Sequence, residues 1–252
     1  MKRFSNVLLA AIVVCLAATA GAAPVAAQDK MRVDRLVRFF EIIAFGSEFE
    51  DIGKTPFIRK WKPKSTLSYK IGGNKKSIET FRPVIQKHAK ALSFDTGLKF
   101  REIGARDPGE HLIFWFAEPD KMVEAGLMIE KNVDAVRKVA SNARCYFLAY
   151  NLQDGYYFKS MIVINRANTF AQLEHCLLEE MAQSLGFPND DPEVSPSLFN
   201  DRENHAELTR VDRFLLRTLY DKRLPAGTPR ELAMTMVRDI MRDLGKRSGW
   251  AE

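Results

Sequence analysis

The chain has 252 residues, enough for one large domain or two small ones, because a single hydrophobic core stops growing at roughly 250–300 residues. Hydrophobic residues make up 46% and charged residues 28%, which argues against a disordered chain, a collagen-like repeat and a multi-span membrane protein. The net charge of +6 is spread along the chain without a basic block, so the sequence does not indicate a nucleic-acid partner.

The N-terminal segment 1–27 is typical of a secretory signal peptide. Two basic residues precede an apolar stretch at 7–18, and small residues lead to a predicted cleavage before Gln28, with an earlier cut near Ala22 as the alternative. The apolar stretch is short for a membrane span, which needs about 20 residues. We therefore expect a periplasmic or secreted protein with no stable membrane span, whose single mature domain covers 28–252.

Cysteine usage gives a second expectation about export. Cleavage of the signal peptide removes Cys15 and leaves Cys145 and Cys176, an even pair that favours a disulfide in an oxidising compartment. The alternatives are a catalytic thiol and a metal ligand, and no CxxC motif supports either. We predict a structural disulfide that ties a strand to a helix.

Hydrophobic periodicity predicts the first elements of the mature chain. Apolar residues recur at helical spacing over 34–44 and alternate as in a half-buried strand over 67–71. A second helix is predicted behind an N-cap at Ser77, with Gly97 as its C-terminal stop. His88 lies on the apolar stripe of this helix, where we expect a packed, hydrogen-bonded histidine and not a ligand.

The remaining elements complete a mixed pattern. The segment 111–116 is apolar throughout, which predicts a strand buried on both faces, and Asp154 with Gly155 indicates a hairpin. The last helix is predicted to begin with a capping box that includes Thr228 and Glu231. The other predicted strands are 98–103, 145–150 and 156–165, and the other predicted helices are 132–140, 169–185 and 206–220. This order predicts an α+β fold with a mixed sheet, a long motif-bearing helix and a helical C-terminal part.

The motif-bearing helix ends in the sequence EEMAQSLGFPND, at 179–190. Glu179 and Gln183 are four residues apart and share a helix face, whereas Glu180 projects about 100° away, so the two glutamates do not pair as in a two-carboxylate hydrolase. A solvated helix face is the plainest interpretation. However, the i, i+4 pair followed by Gly186 and a further polar side chain has the spacing of a metal-binding helix that ends in a tight turn.

The same stretch resembles HExxHxxGxxH, the zinc signature of the metzincin peptidases, with every spacing kept. The resemblance implies that Glu179, Gln183 and Asn189 stand at the three ligand positions, with Asp190 beside the third. It also implies that Glu180 stands where those peptidases have their general base. The order of elements before the motif is similar to that of matrixin-type peptidases, which implies a metzincin-like mixed sheet.

Other segments are similar to the bacterial family of unknown function DUF2927. They are FGSEFE at 45–50, RKW at 59–61, SLFND at 197–201 and LLRTLYDKRL at 215–224, together with the motif itself. This similarity covers nearly the whole mature chain. It implies the family and brings no established activity.

The donors at the ligand positions are oxygen atoms and not imidazole nitrogens. Zinc prefers imidazole in such sites, whereas one carboxylate with amide oxygens suits Ca²⁺ or Mg²⁺ at weak affinity. We therefore expect no tightly bound cofactor, and a weakly bound divalent metal is the candidate that stays open. His175, four residues before Glu179, could face the same cation, and His205 is a later candidate.

Three functions fit these observations. In the first, an exported cell-envelope protein keeps a peptidase-like cleft without catalysis and binds peptide or protein segments, along an exposed strand edge. In the second, an unusual metal-dependent hydrolase uses Glu179, Gln183 and Asn189 or Asp190 as ligands and Glu180 as base. The third is a structural envelope protein without a ligand. The missing histidines favour the first.

Overall fold

The structure, a computed structural model, describes residues 33–47 and 54–249; the predicted signal peptide and the second half of FGSEFE lie outside them. The helices are α1 (Val33–Phe45), α2 (Lys75–Thr96), α3 (Met122–Gly126), α4 (Val133–Ala140), α5 (Phe170–Gln183), α6 (Arg210–Leu219) and α7 (Arg230–Ser248). The strands are β1 (Thr66–Gly73), β2 (Lys99–Glu102), β3 (Leu112–Ala117), β4 (Cys145–Asn151) and β5 (Tyr157–Asn165). This confirms the predicted α+β class with its mixed sheet and helical C-terminal part.

The five strands form one sheet in the order β2-β1-β3-β5-β4. The pairs β1–β2, β1–β3 and β3–β5 are parallel, whereas β4 runs antiparallel to β5 as the predicted hairpin requires. Gly155 takes φ 81° in the hairpin turn, a conformation that favours glycine. Strand β4 is therefore an edge strand, with no partner strand on its outer side among the described residues.

Both faces of the sheet are covered at strand β3. Leu112, Phe114 and Phe116 are fully buried in the larger core, together with α1, α2, α5, α6 and α7. Ile113 and Trp115 point to the other face and pack against a smaller core under α3 and α4. Because apolar side chains line both faces, the continuous apolar run of β3 does not alternate with polar residues. The prediction of a strand covered on both faces is confirmed.

The predicted starts of α2, α6 and α7 are wrong by one to four residues. Asn74 caps α2, because its side-chain oxygen accepts the Ser77 backbone N–H at 3.1 Å, so Ser77 lies in the first turn. Pro229 is the N-cap of α7, and the Thr228 hydroxyl donates to the Pro225 carbonyl at 2.8 Å instead of capping the helix. At α2 an earlier side chain makes the capping hydrogen bond, whereas at α7 no side chain caps the first turn.

The side chain of His88, a residue of α2, is buried and hydrogen-bonded as expected. Its side chain is 1% exposed, and its Nε2 lies 3.2 Å from the Glu174 carbonyl oxygen. Burial lowers the pKa of His88 from 6.5 to about 4, against an opposing effect of the hydrogen bond to Glu174. The neutral imidazole is therefore the form that the fold accommodates.

We expect the protein to lose stability as pH falls from about 6.5 to about 4. In this window the unfolded chain binds the His88 proton and the folded chain does not, so the free energy of unfolding decreases by about 3 kcal/mol. Urea unfolding of the wild type and His88→Gln, near pH 7 and near pH 4.5, measures the effect. The variant should lose less stability than the wild type, and an equal loss in both proteins would contradict the assignment.

Candidate functional site

Helix α5 carries the motif, and local sequence chemistry defines both of its ends. Thr169 and Gln172 form a reciprocal capping box at its start. The helix ends at Gln183, and Gly186 turns the chain at φ 135°, where a side chain would be strained. A Cβ at Gly186 would also lie 2.4 Å from the Arg59 carbonyl oxygen. The tight turn predicted after the motif is therefore confirmed, and it packs directly on the backbone of residue 59.

The predicted disulfide is confirmed. Cys145 at the start of β4 and Cys176 in α5 are bonded, with their Cα atoms 6.2 Å apart. The bond fastens the motif helix to the edge strand of the sheet. Both half-cystines line the walls of the cavities described below.

The motif side chains meet in a polar hollow of about 180 Å³ between α5, the start of β4 and the loops that follow the helix. We call it the polar hollow; its wall includes Glu179, Glu180, Gln183, Asp190 and Glu203. Gln183 donates from Nε2 to Asp190 Oδ1 at 3.0 Å. Glu180 is 7% exposed and Gln183 2%, so a solvated helix face does not describe this motif.

Of the two candidate histidines, His175 lines the polar hollow and His205 does not. His175 Nε2 is 3.4 Å from Glu179 Oε2, and His175 Nδ1 accepts the backbone N–H of His205 at 3.0 Å. The His205 ring lies 2.5 Å from Glu203 Oε2 and is not part of the wall. Burial lowers the pKa of His175, partly offset by its contact with the His205 backbone, so its imidazole is neutral near pH 7.

Asn189 is placed apart from the other motif side chains. Its Nδ2 donates to the Ile42 carbonyl at 3.3 Å and to the Asp190 carbonyl at 2.9 Å, and it does not line the polar hollow. Asp190, the neighbouring residue, lines the hollow instead. The structure thus brings together Glu179, Gln183 and Asp190 from the predicted set, and it directs Asn189 toward the end of α1.

This donor set does not fit a tetrahedral zinc site of the imidazole type. The wall holds one imidazole, and the Gln183 amide is engaged with Asp190. Within 33–47 and 54–249, no group of three or more His, Cys, Asp and Glu side chains is arranged to hold a metal ion. We therefore derive no chemical step through a metal. A weakly bound divalent cation on the carboxylate and amide oxygens stays a prediction.

The turn formed by Ser197, Leu198 and the residues after them is hydrogen-bonded to α6. Asp212, fully buried in α6, accepts hydrogen bonds from Ser197 Oγ at 2.8 Å, Leu198 N at 3.0 Å and Thr209 N at 2.7 Å. Thr209 and Asp212 form the capping box of α6, which is why the helix begins at Arg210 and not at the predicted residue 206. Burial raises the pKa of Asp212, and these hydrogen bonds oppose the rise.

A larger cavity of about 480 Å³ runs along the edge strand β4. We call it the strand-edge cleft; β4 residues from Cys145 to Tyr150 line it, together with Arg59, Tyr157 and Glu180. Glu180 and Cys145 line this cleft and the polar hollow alike, so the two cavities adjoin at the disulfide. The residue predicted as a general base therefore borders a cavity large enough for several side chains.

Sequence reasoning missed Arg59 as a residue of the cleft. Arg59 is 7% exposed, and its Nε and Nη2 have no hydrogen-bond partner among the described residues. The signal in the sequence was weak: Arg59 and Lys60 follow Ile58 and precede Trp61, an apolar setting that suggests burial but not what the cation faces.

The solved structures similar to this chain include two of myroilysin. The first has a TM-score of 0.37 and 8% sequence identity and covers 65% of this chain and 82% of that chain. The second has a TM-score of 0.34 and 9% identity and covers 65% of this chain and 86% of that chain. The structural similarity is distant. No curated protein matches the chain significantly.

A family profile described as "Protein of unknown function (DUF2927)" matches residues 34–239. The match extends from α1 to about the middle of α7 and includes the motif helix and the edge strand. It covers well over half of the sequence. The chain therefore belongs to the DUF2927 family.

Proposed function

We propose that this protein is an exported cell-envelope protein that binds peptide or protein segments in the strand-edge cleft and does not cleave them. The observation that carries the proposal is the position of the cleft along the outer edge of β4. An edge strand offers a row of backbone N–H and C=O groups with which an extended segment can pair. The side chains of such a segment would occupy the cleft.

The size and lining of the cleft support a peptide ligand. Its volume of about 480 Å³ lies in the usual range of ligand cavities, roughly 300–1,000 Å³. Phe147, Leu148 and Ala149 supply apolar surface, while Tyr150 is held by a 2.6 Å hydrogen bond from its hydroxyl to Glu130. A few polar groups in a mostly apolar wall is the usual arrangement for specific recognition.

The donors beside Glu180 support the proposal that the protein does not cleave its ligand. A general base of the metallopeptidase type acts on water polarised by a bound cation. The donors in the polar hollow do not fit the three-imidazole zinc site, so Glu180 has no evident water to activate. Export is supported by the Cys145–Cys176 disulfide, since such bonds persist mainly in oxidising compartments. No helix in the described ranges has the length and apolar character needed to cross a bilayer.

We expect extended peptides to bind the wild type without being cleaved, with or without added zinc or calcium. Ser141→Trp, which adds bulk at an exposed position of the cleft wall, should weaken binding on the order of tenfold. Ala105→Trp, at an exposed position in another part of the chain, is the matched control. Fluorescence anisotropy measures affinity and mass spectrometry detects cleavage.

Two outcomes would contradict the proposal. If Ser141→Trp and the wild type bind peptides equally, the ligand does not occupy the strand-edge cleft. If the wild type cleaves a peptide and Glu180→Gln abolishes the cleavage, the protein is a hydrolase with Glu180 as its base.

A further inference from the structure

One arginine in the wall of the strand-edge cleft has two side-chain nitrogens that the fold leaves without a hydrogen-bond partner. The side chain of Arg59 is more than nine-tenths buried, yet Nε and Nη2 lack a hydrogen-bond partner among the residues that the structure describes. No other buried side-chain nitrogen or oxygen in those residues shares this condition. Buried polar groups are nearly always paired, and an unpaired buried charge is costly.

Two other buried charges, Lys60 and Asp95, do have partners. Lys60, next to Arg59, donates from Nζ to the Leu219 carbonyl at 2.6 Å and also to the Leu224 carbonyl. Asp95 accepts from Arg213 at 2.9 Å and from Arg217 at 2.7 Å. These groups hold helices together. Arg59 makes no comparable contact through Nε or Nη2, so its burial needs another explanation.

The surroundings of Arg59 indicate which chemical group of a ligand could pair with it. An arginine offers planar N–H donors that match a carboxylate or a phosphate. Glu180 lines the same cleft, so a bulky polyanion would meet a like charge there. Aromatic and apolar side chains, among them Tyr157 and Phe147, make up much of the remaining wall. A single carboxylate carried by an otherwise uncharged chain fits this setting best.

We propose that Arg59 anchors a carboxylate of the bound peptide, so that the cleft selects segments with an acidic side chain or a free C-terminus in this position. The inference rests on the proposed function and adds the ligand class to it. Charge-assisted hydrogen bonds to a buried arginine make the carboxylate peptide bind about tenfold or more tightly than its neutral counterpart.

The test uses three synthetic hexapeptides of threonine and valine, acetylated at the N-terminus. The first carries a central aspartate and an amidated C-terminus, the second a central asparagine and an amidated C-terminus, and the third a central asparagine and a free C-terminal carboxylate. Binding to the full chain is measured by NMR titration. The first peptide is preferred if an acidic side chain is recognised, and the third if the C-terminus is recognised.

Variants separate recognition from a structural role. Arg59→Met should abolish the preference for carboxylate peptides, and its melting temperature should equal or exceed that of the wild type, because a buried cation with two unsatisfied nitrogens is replaced by an apolar chain of similar length. Arg59→Lys should keep part of the preference, since the charge remains without the planar donors. Arg106→Met, at an exposed position, is the control and should change neither property.

The outcomes of the peptide titrations test the role of Arg59 separately from peptide binding itself. Equal binding of all three peptides to the wild type would overturn the role of Arg59 and leave peptide binding intact. Binding of none of them would overturn both. A large drop in the melting temperature of Arg59→Met, with the carboxylate preference unchanged, would show that Arg59 is structural.

Discussion

Replacing both Cys145 and Cys176 by alanine is expected to lower the free energy of unfolding by about 4 kcal/mol. The disulfide closes a loop with a sequence separation of 31, and removing it restores the conformational entropy of that loop to the unfolded chain. Both half-cystines are at most 9% exposed, so alanine leaves no unpaired polar group but does lose some packing. Urea unfolding of the wild type and the double variant measures the difference.

Reduction supplies the control for this expectation. Wild-type protein unfolded in the presence of dithiothreitol should approach the stability of the double alanine variant, and the variant should not respond to the reductant. A change of less than about 1 kcal/mol in the double variant would mean that the loop is already restricted in the unfolded state. Peptide affinity should also fall, because the bond holds α5 against β4 between the two cavities.

Gly186→Ala is expected to destabilise the protein by about 3 kcal/mol or more, since two costs act at the same residue. The backbone has φ 135°, which L side chains rarely adopt, and the new Cβ would lie 2.4 Å from the Arg59 carbonyl oxygen. Relief of this clash requires movement of the backbone that carries Arg59. Preference for carboxylate peptides should therefore weaken along with stability.

Gly97→Ala is the matched control for this substitution. Gly97 also has positive φ, 72°, but no atom lies within 4 Å of a Cβ built there. It caps α2, and alanine at such a position costs about 1 kcal/mol through backbone strain alone. Chemical denaturation of both variants separates strain from contact. Equal losses at the two glycines would contradict the close approach between the motif turn and Arg59.

The fold was largely predictable because its elements carry strong local signals. The hairpin between β4 and β5 follows from two alternating segments around Asp154 and Gly155, and α5 follows from its apolar periodicity and the stop at Gly186. Helix starts were less predictable. Asn74 and Ser77 both have side chains that can cap a helix. Which of them becomes the N-cap depends on where the chain leaves β1 and enters α2.

The candidate site was predictable only in part. The spacing of the motif selected Glu179, Gln183, Asn189 and Asp190, and three of these four line one hollow. It could not distinguish Asn189 from Asp190, because consecutive side chains in an irregular loop point in different directions and each finds its own partner. The Asn189 side chain donates a hydrogen bond to the Ile42 carbonyl at the end of α1, a group more than a hundred residues away in the chain.

The sequence by itself determined the class of the fold, the disulfide and the position of the motif at the end of a helix, because periodicity, cysteine parity and helix stop signals are local properties. Only the tertiary structure decided that β4 is the edge strand, that Glu180 borders two cavities, and that Arg59 enters the wall of one of them without a partner on Nε or Nη2. These features depend on contacts between segments distant in the chain. Strand order and the pairing of buried charges are set by packing of the whole core, which no short segment encodes.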